Sequence, residues 1–302
     1  MTRGFVERLN AGDLLFADGA TATNYQQMGM GIGVAPEEWV FDQPDAVRSL
    51  HSAFIDAGAE IILTDTFGGT SLRLRESRYA GHVAELNRRA AQLAREAAGA
   101  REGVLVAGSM GPTGMLMEPL GDLTAAAAAD AYGEQAAALS GAGVDLLLLE
   151  TFFALDEALA AIEGIRQASA LPLVVSFSFD QGTRTMMGLS PTRMVEAIRP
   201  LGVAALGANC GRSLADMERV VAELAGLHAG IPLWIKPNAG LPRMVGDVAR
   251  YDTGPTEMAD YATRFIEAGA RVIGGCCGTS PEHTRCMIAA ASGGRLRVRG
   301  QD

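Results

Sequence analysis

Residues 56–66, DAGAEIILTDT, decide the fold, because their pattern returns as GAGVDLLLLET at 141–151 and as EAGARVIGGCC at 267–277. Each stretch leaves a helix through a small residue and Gly, then enters a short apolar run. Gly just past a helix accepts the left-handed backbone that ends it. Val, Ile and Leu without polar alternation suit a parallel strand buried on both faces. Five more runs of this kind follow from the same reading: LLFADGA (14–20), VLVAGSM (104–110), LVVSFSF (173–179), AALGANC (204–210) and LWIKPNA (233–239). Between them lie helical patterns, with Val47, Leu50 and Phe54 on one face, then Leu86, Leu93 and Ala97, and later Leu214, Met217, Val221 and Leu224. Ser280 and Pro281 suit the start of a last helix. Eight strands alternating with helices predict an α/β fold, a (β/α)8 TIM barrel, as a single domain over residues 1–302.

Bulk composition narrows the function. The chain has 302 residues, 48% hydrophobic and 20% charged, enough to bury a large core. A net charge of −10 offers no basic surface for phosphates, so no nucleic-acid partner is expected. The opening MTRGFVERLN has no apolar signal region, and no run is long enough to span a bilayer, so no membrane is expected either. Four cysteines are too few for a disulfide scaffold and point to a reducing, cytoplasmic compartment.

A closed barrel gathers its strand ends at one mouth, where its chemistry sits. The ends carry Asp18, Asp65, Thr66, Ser109, Glu150, Cys210, Asn238, Cys276 and Cys277. Three sulfurs at that rim suit a three-ligand metal site with one open position, as catalytic zinc requires. The glycines beside Cys276 and Cys277 would let both thiols face inward. A redox pair or buried apolar thiols are the competing readings; Cys286, inside the last helix, suits the latter. An all-thiolate metal would activate a further thiol better than water. Asp18 and Glu150 could grip an ammonium, and amides around Gly19 and Ala20 a carboxylate, which together describe an amino acid bearing a thiol. The histidines fall elsewhere: His51, His82 and His228 read as surface groups, and His283 as a structural group, with support of the nearby cysteines as the lesser alternative. RLRESRYAGH (73–82) reads as a solvated basic loop and GGRLRVRGQD (293–302) as a polar tail.

DGATAT, TDTFGGT, GPTG, ETF, NCG and GGCCGTSP, spread from the first strand to the last, resemble the zinc-dependent homocysteine S-methyltransferases. That family includes betaine–homocysteine methyltransferase, S-methylmethionine-dependent enzymes and the homocysteine-binding module of cobalamin-dependent methionine synthase. The resemblance implies Zn2+ on Cys210, Cys276 and Cys277, the homocysteine sulfur as substrate ligand, and Asp18 and Glu150 gripping homocysteine. Thr151 stands where the betaine enzyme has a tyrosine. KPNAGLP and GPTGMLMEPLGDLT are similar to the methionine synthase module, in which the residue matching Asn238 takes the metal when homocysteine is absent. With no cobalamin motif in the chain, the methyl donor is then expected on a separate corrinoid protein. A betaine- or sulfonium-dependent enzyme is the alternative, and a non-catalytic thiol- and zinc-binding module another.

Overall fold

A computed structural model of the chain describes residues 3–99, 101–245 and 248–298. All eight apolar runs are strands: β1 Leu15–Phe16, β2 Ile61–Leu63, β3 Leu105–Met110, β4 Leu146–Phe152, β5 Leu173–Phe177, β6 Ala205–Cys210, β7 Leu233–Pro237 and, after a hairpin, β10 Ala270–Ile273. They run parallel in the order β1-β10-β7-β6-β5-β4-β3-β2. A parallel bridge from Ala17 to Ile61, with Asp18 N donating to Ile61 O at 2.9 Å, joins the two ends of that order. The sheet is therefore a closed barrel, and the expected architecture is correct.

Strand alternation sorts the apolar side chains into two layers. Leu15, Ala17, Ile61, Leu63, Leu105, Ala107, Leu146, Leu148, Val174, Ala205, Trp234 and Val272 fill the barrel. Their neighbours Phe16, Ile62, Val106, Leu147, Val175, Leu206, Ile235 and Ile273 face the helices. The helix Phe5–Asn10 closes the barrel floor, Phe5 meeting Trp234 edge-on at 6.3 Å between centroids. Gly207 is required by close approach: a Cβ there would lie 1.7 Å from the Trp234 carbonyl oxygen.

Several local expectations need correction. His51 is not a surface group; it lies on the buried face of the helix Pro44–Asp56, four residues after Val47, and is 3% exposed. His82 and His228 are exposed. The expected polar tail is helical as far as Val298, within the helix Pro281–Val298; residues 299–302 lie outside the described part. Segment 73–82 is largely exposed, as expected, and is tethered to Glu38, which accepts from Arg78 Nε at 2.8 Å and Ser77 Oγ at 3.1 Å. The hairpin β8 Pro242–Val245 and β9 Val248–Tyr251 leaves the barrel after β7. Among the described residues no helix is long and apolar enough to cross a membrane.

Candidate active site

The inward positions that are apolar lower in the barrel turn polar at its upper end. Ser109 follows Leu105 and Ala107, Glu150 follows Leu146 and Leu148, Ser176 follows Val174, Asn209 follows Ala205 and Gly207, and Lys236 follows Trp234. Of these, Ser109, Glu150 and Lys236 line a cavity of about 670 Å³, together with Cys210, Cys276 and Cys277.

Cys210, Cys276 and Cys277 come together there, their sulfurs all within 4.8 Å of one another. Cys210 Sγ and Cys276 Sγ are 3.1 Å apart. Beyond Ile273 the chain has left strand geometry, so alternation no longer separates two consecutive thiols. Its backbone is still fixed on both sides: Gly275 N donates to Asp18 O at 3.0 Å and Cys276 N to Pro237 O at 2.8 Å. Gly274 and Gly275 are needed for this close fit, since Cβ atoms would lie 2.8 Å from Asp18 O and 2.4 Å from Thr279 Oγ1. Gly278 alone of the three flanking glycines has positive φ, 81°, with the Tyr251 ring packed over it. The Tyr251 hydroxyl faces Cys277.

The thiols cannot all ionise unaided. Hydrogen bonds from Cys210 and Cys276, helped by Tyr251, hold Cys277 well below the usual thiol range. Donation to Cys276 and Cys277, together with burial, pushes Cys210 well above it. Cys276 gains from accepting a bond from Cys210, yet donation to Cys277, burial and the Cys277 charge drive it up to about 12. Three thiols this close would repel as thiolates, and a soft dication removes that conflict. The residues fit zinc by the chemistry of the donor set.

Asn209, absent from the sequence expectations, holds this cluster in place. It is fully buried and accepts from Thr151 N at 2.8 Å and Ser176 Oγ at 2.7 Å. Its amide donates to Thr151 Oγ1 at 2.7 Å and faces Cys210 Sγ at 3.5 Å and Cys276 Sγ at 3.9 Å. Thr151 and Cys210 both have positive φ, 65° and 56°.

The other expected residues divide. Glu150 is buried, accepts from Ser109 Oγ and is raised to about 7 by burial, which Lys236 opposes and Cys276 reinforces. Asp18 reaches the site but is not free: Oδ1 accepts from Lys236 Nζ at 2.8 Å and Oδ2 from Leu63 N at 2.7 Å. Gly19 and Ala20 line the cavity, yet Ala20 N already donates to Thr279 Oγ1 at 3.2 Å. Asn238 Oδ1 is buried without a partner among the described residues, while Nδ2 donates to Gly211 O at 2.9 Å. His283 is tied to Ser280 Oγ at 2.9 Å and Thr253 O at 3.1 Å, joining the last helix to the end of the hairpin. Cys286 stands apart beside Glu282.

Away from the sulfurs the cavity wall is acidic. Glu37, Glu38, Asp65 and Glu76 line it, against Arg73. Asp65 and Glu37 are 3% and 5% exposed, and Asp65 Oδ2 has no hydrogen-bond partner among the described residues. Burial, with Glu37 adding its charge, pushes Asp65 far above the usual carboxylate range, and burial raises Glu37 also. Exposed Met28 and Ile32 after β1, Leu116 and Leu120 after β3, Met186 and Met187 after β5, and Leu241 and Met244 after β7 ring the same end of the barrel.

Known proteins resemble the chain in sequence and fold. The chain is 32% identical over 295 residues to methionine synthase of Mycobacterium leprae (strain TN), covering 92% of itself and 24% of that protein. For methionine synthase of Mycobacterium tuberculosis the identity is also 32%, over 92% of this chain and 25% of the relative. The chain thus spans about a quarter of these curated relatives. The metallated crystal structure of the homocysteine methyltransferase MmuM from Escherichia coli superposes with a TM-score of 0.80 at 26% identity, over 93% of this chain and 97% of that one. Residues 15–291 match the family described as homocysteine S-methyltransferase, and the chain belongs to that family.

Proposed function

We propose that this protein is a cytoplasmic, zinc-dependent homocysteine S-methyltransferase that forms methionine, with Cys210, Cys276 and Cys277 as the metal ligands. The observation that carries the reading is the group of three sulfurs within 4.8 Å on the floor of a cavity that also holds a buried carboxylate, Glu150. When bound, zinc supplies a soft positive centre that keeps a substrate thiol ionised at neutral pH. The chain's residues do the rest. Cys210, Cys276 and Cys277 would hold the metal as thiolates, their protons passing to solvent. Asn209 fixes the positions of Cys210 and Thr151. Glu150, as a carboxylate, takes the substrate ammonium. The sulfur then gains the methyl group, and the donor leaves with the electron pair of the broken bond. Asn238, with its unpartnered Oδ1, is the candidate to fill the metal's open position without substrate.

Two donor classes have support. The methionine synthase relatives, and the exposed apolar residues around the mouth, support a methyl group delivered on a separate corrinoid protein. The buried Asp65 and Glu37 wall, whose carboxyls burial keeps protonated until a cation lies beside them, supports a small cationic donor such as betaine or a sulfonium. The test is methionine formation from homocysteine by zinc-loaded protein with methylcobalamin, betaine, dimethylsulfoniopropionate or S-methylmethionine, each with and without a chelator. Chelator-sensitive turnover is the expected result, and the donor that works selects the class. Zinc and homocysteine binding with no turnover from any donor would leave a non-catalytic thiol-binding module.

A further inference from the structure

The hairpin β8–β9 adds little to the barrel core, since β8 is exposed along its whole length. A two-stranded hairpin is marginal on its own in water, so one held out on the surface calls for a reason. β9 ends on Tyr251, and that end is fastened to the loops that carry the cysteines. Thr253 N donates to Ala239 O at 3.2 Å, Ala239 N to Cys277 O at 2.9 Å, and His283 Nε2 meets Thr253 O at 3.1 Å. The half-buried Tyr251 ring packs on Gly278, where a Cβ would lie 2.2 Å from its Cγ. Only glycine leaves room for the ring, and the φ of 81° there favours glycine as well. So placed, the phenol points its hydroxyl at Cys277.

The three sulfurs are not equally supplied with donors. The Asn209 amide faces Cys210 Sγ at 3.5 Å and Cys276 Sγ at 3.9 Å, and the Lys236 charge acts on Cys276. Cys277 accepts from the other two thiols while they keep their protons. As metal ligands all three are thiolates and those bonds are gone. Tyr251 is then the side-chain donor left to Cys277 among the described residues. A phenol keeps its proton well above neutral pH, so it can serve. Three thiolates on a dication leave one negative charge, and a substrate thiolate makes two, in a site where charge is costly to bury. Hydrogen bonds donated to the sulfurs offset that charge. We propose that Tyr251 is a positioning residue of the metal site, its hydroxyl donating to the Cys277 thiolate and offsetting the charge that the substrate adds, and that the hairpin serves to place it. The inference rests on the three cysteines holding a metal.

Cobalt(II) in place of zinc gives the test, because it reports on its sulfur ligands by colour. Wild type, Tyr251→Phe and Tyr251→Leu are loaded with cobalt, the sulfur-to-metal charge-transfer band is recorded, and homocysteine is then titrated in. A hydrogen bond lowers the energy of the sulfur lone pairs, so its loss moves the band to longer wavelength. Tyr251→Phe keeps the ring on Gly278 and should show that shift, with homocysteine bound about ten-fold more weakly. Tyr251→Leu, which loses both ring and hydroxyl, should shift at least as far. A Tyr251→Phe band at the wild-type position, whatever Tyr251→Leu does, would make the ring a packing group and overturn the assignment. A shifted band with unchanged homocysteine affinity would keep the hydrogen bond and overturn its part in offsetting the substrate's charge. Wild type with no charge-transfer band at all would sink the metal reading itself, a result distinct from either.

Discussion

Asn209 holds Thr151 at two points, accepting from its backbone N at 2.8 Å and donating to its hydroxyl at 2.7 Å. The two residues are 58 positions apart, on β6 and β4, and Thr151 and Cys210 both carry left-handed backbone angles. For non-glycine residues such angles persist only where neighbours impose them.

Asn209→Ala removes that constraint and the amide facing two sulfurs. Zinc affinity should fall by roughly 10- to 100-fold, the usual effect of losing a group that supports metal ligands. Competition against a chromophoric chelator measures it. Ser176→Ala, which deletes one bond to Asn209 and leaves Thr151 held, should cost less. Equal affinity in Asn209→Ala and wild type would show that the thiols need no support from β4.

His51 gives the protein an acid-sensitive component of stability. Burial lowers it to about 4, against an ordinary value near 6.5, with Asp18 opposing the shift. The unfolded chain therefore takes up a proton that the folded chain refuses. The stability is complete above pH 6.5 and is lost as pH falls from about 6.5 to about 4, by up to roughly 3 kcal/mol. Urea midpoints of His51→Leu across that interval should depend less on pH than those of wild type. Parallel curves would contradict the buried neutral imidazole.

Gly207→Ala should lower stability by about 3 kcal/mol or more, because its Cβ would enter the carbonyl of the paired strand 1.7 Å away. Chemical denaturation checks this. Gly226→Ala, whose Cβ meets nothing, is the control and should be neutral or slightly stabilising.

Asp65→Asn separates the donor classes. If a small cation supplies the methyl group, its KM should rise about ten-fold or more while homocysteine binding is unchanged. Turnover with methylcobalamin should be indifferent to the change. Loss of homocysteine binding would place Asp65 in the acceptor site instead.

The barrel was readable because buried parallel strands need continuous apolar runs, and 56–66, 141–151 and 267–277 announce theirs with glycine. The cysteine cluster was readable because chemistry gathers at strand ends. Asn209 and Lys236 carried a signal that went unused: both continue the inward alternation of β6 and β7 past an apolar start. His51 likewise falls on the face shared by Val47 and Phe54. The pairing of Asp18 with Lys236 spans 218 residues, and only the closed barrel brings them within 2.8 Å. No local pattern reveals that the carboxylate is already occupied. The hairpin at 242–251 has exposed residues along β8 and no two-sided apolar pattern, so it gave no strand signature.

In the proposed site, three cysteines hold a metal whose open position accepts the homocysteine sulfur. X-ray absorption at the zinc edge tests it most directly, on zinc-loaded protein before and after homocysteine is added. Three sulfur neighbours and one lighter atom are expected at first, and about four sulfurs once homocysteine is present. An unchanged set of neighbours on adding homocysteine, or fewer than three sulfurs at the start, would contradict it.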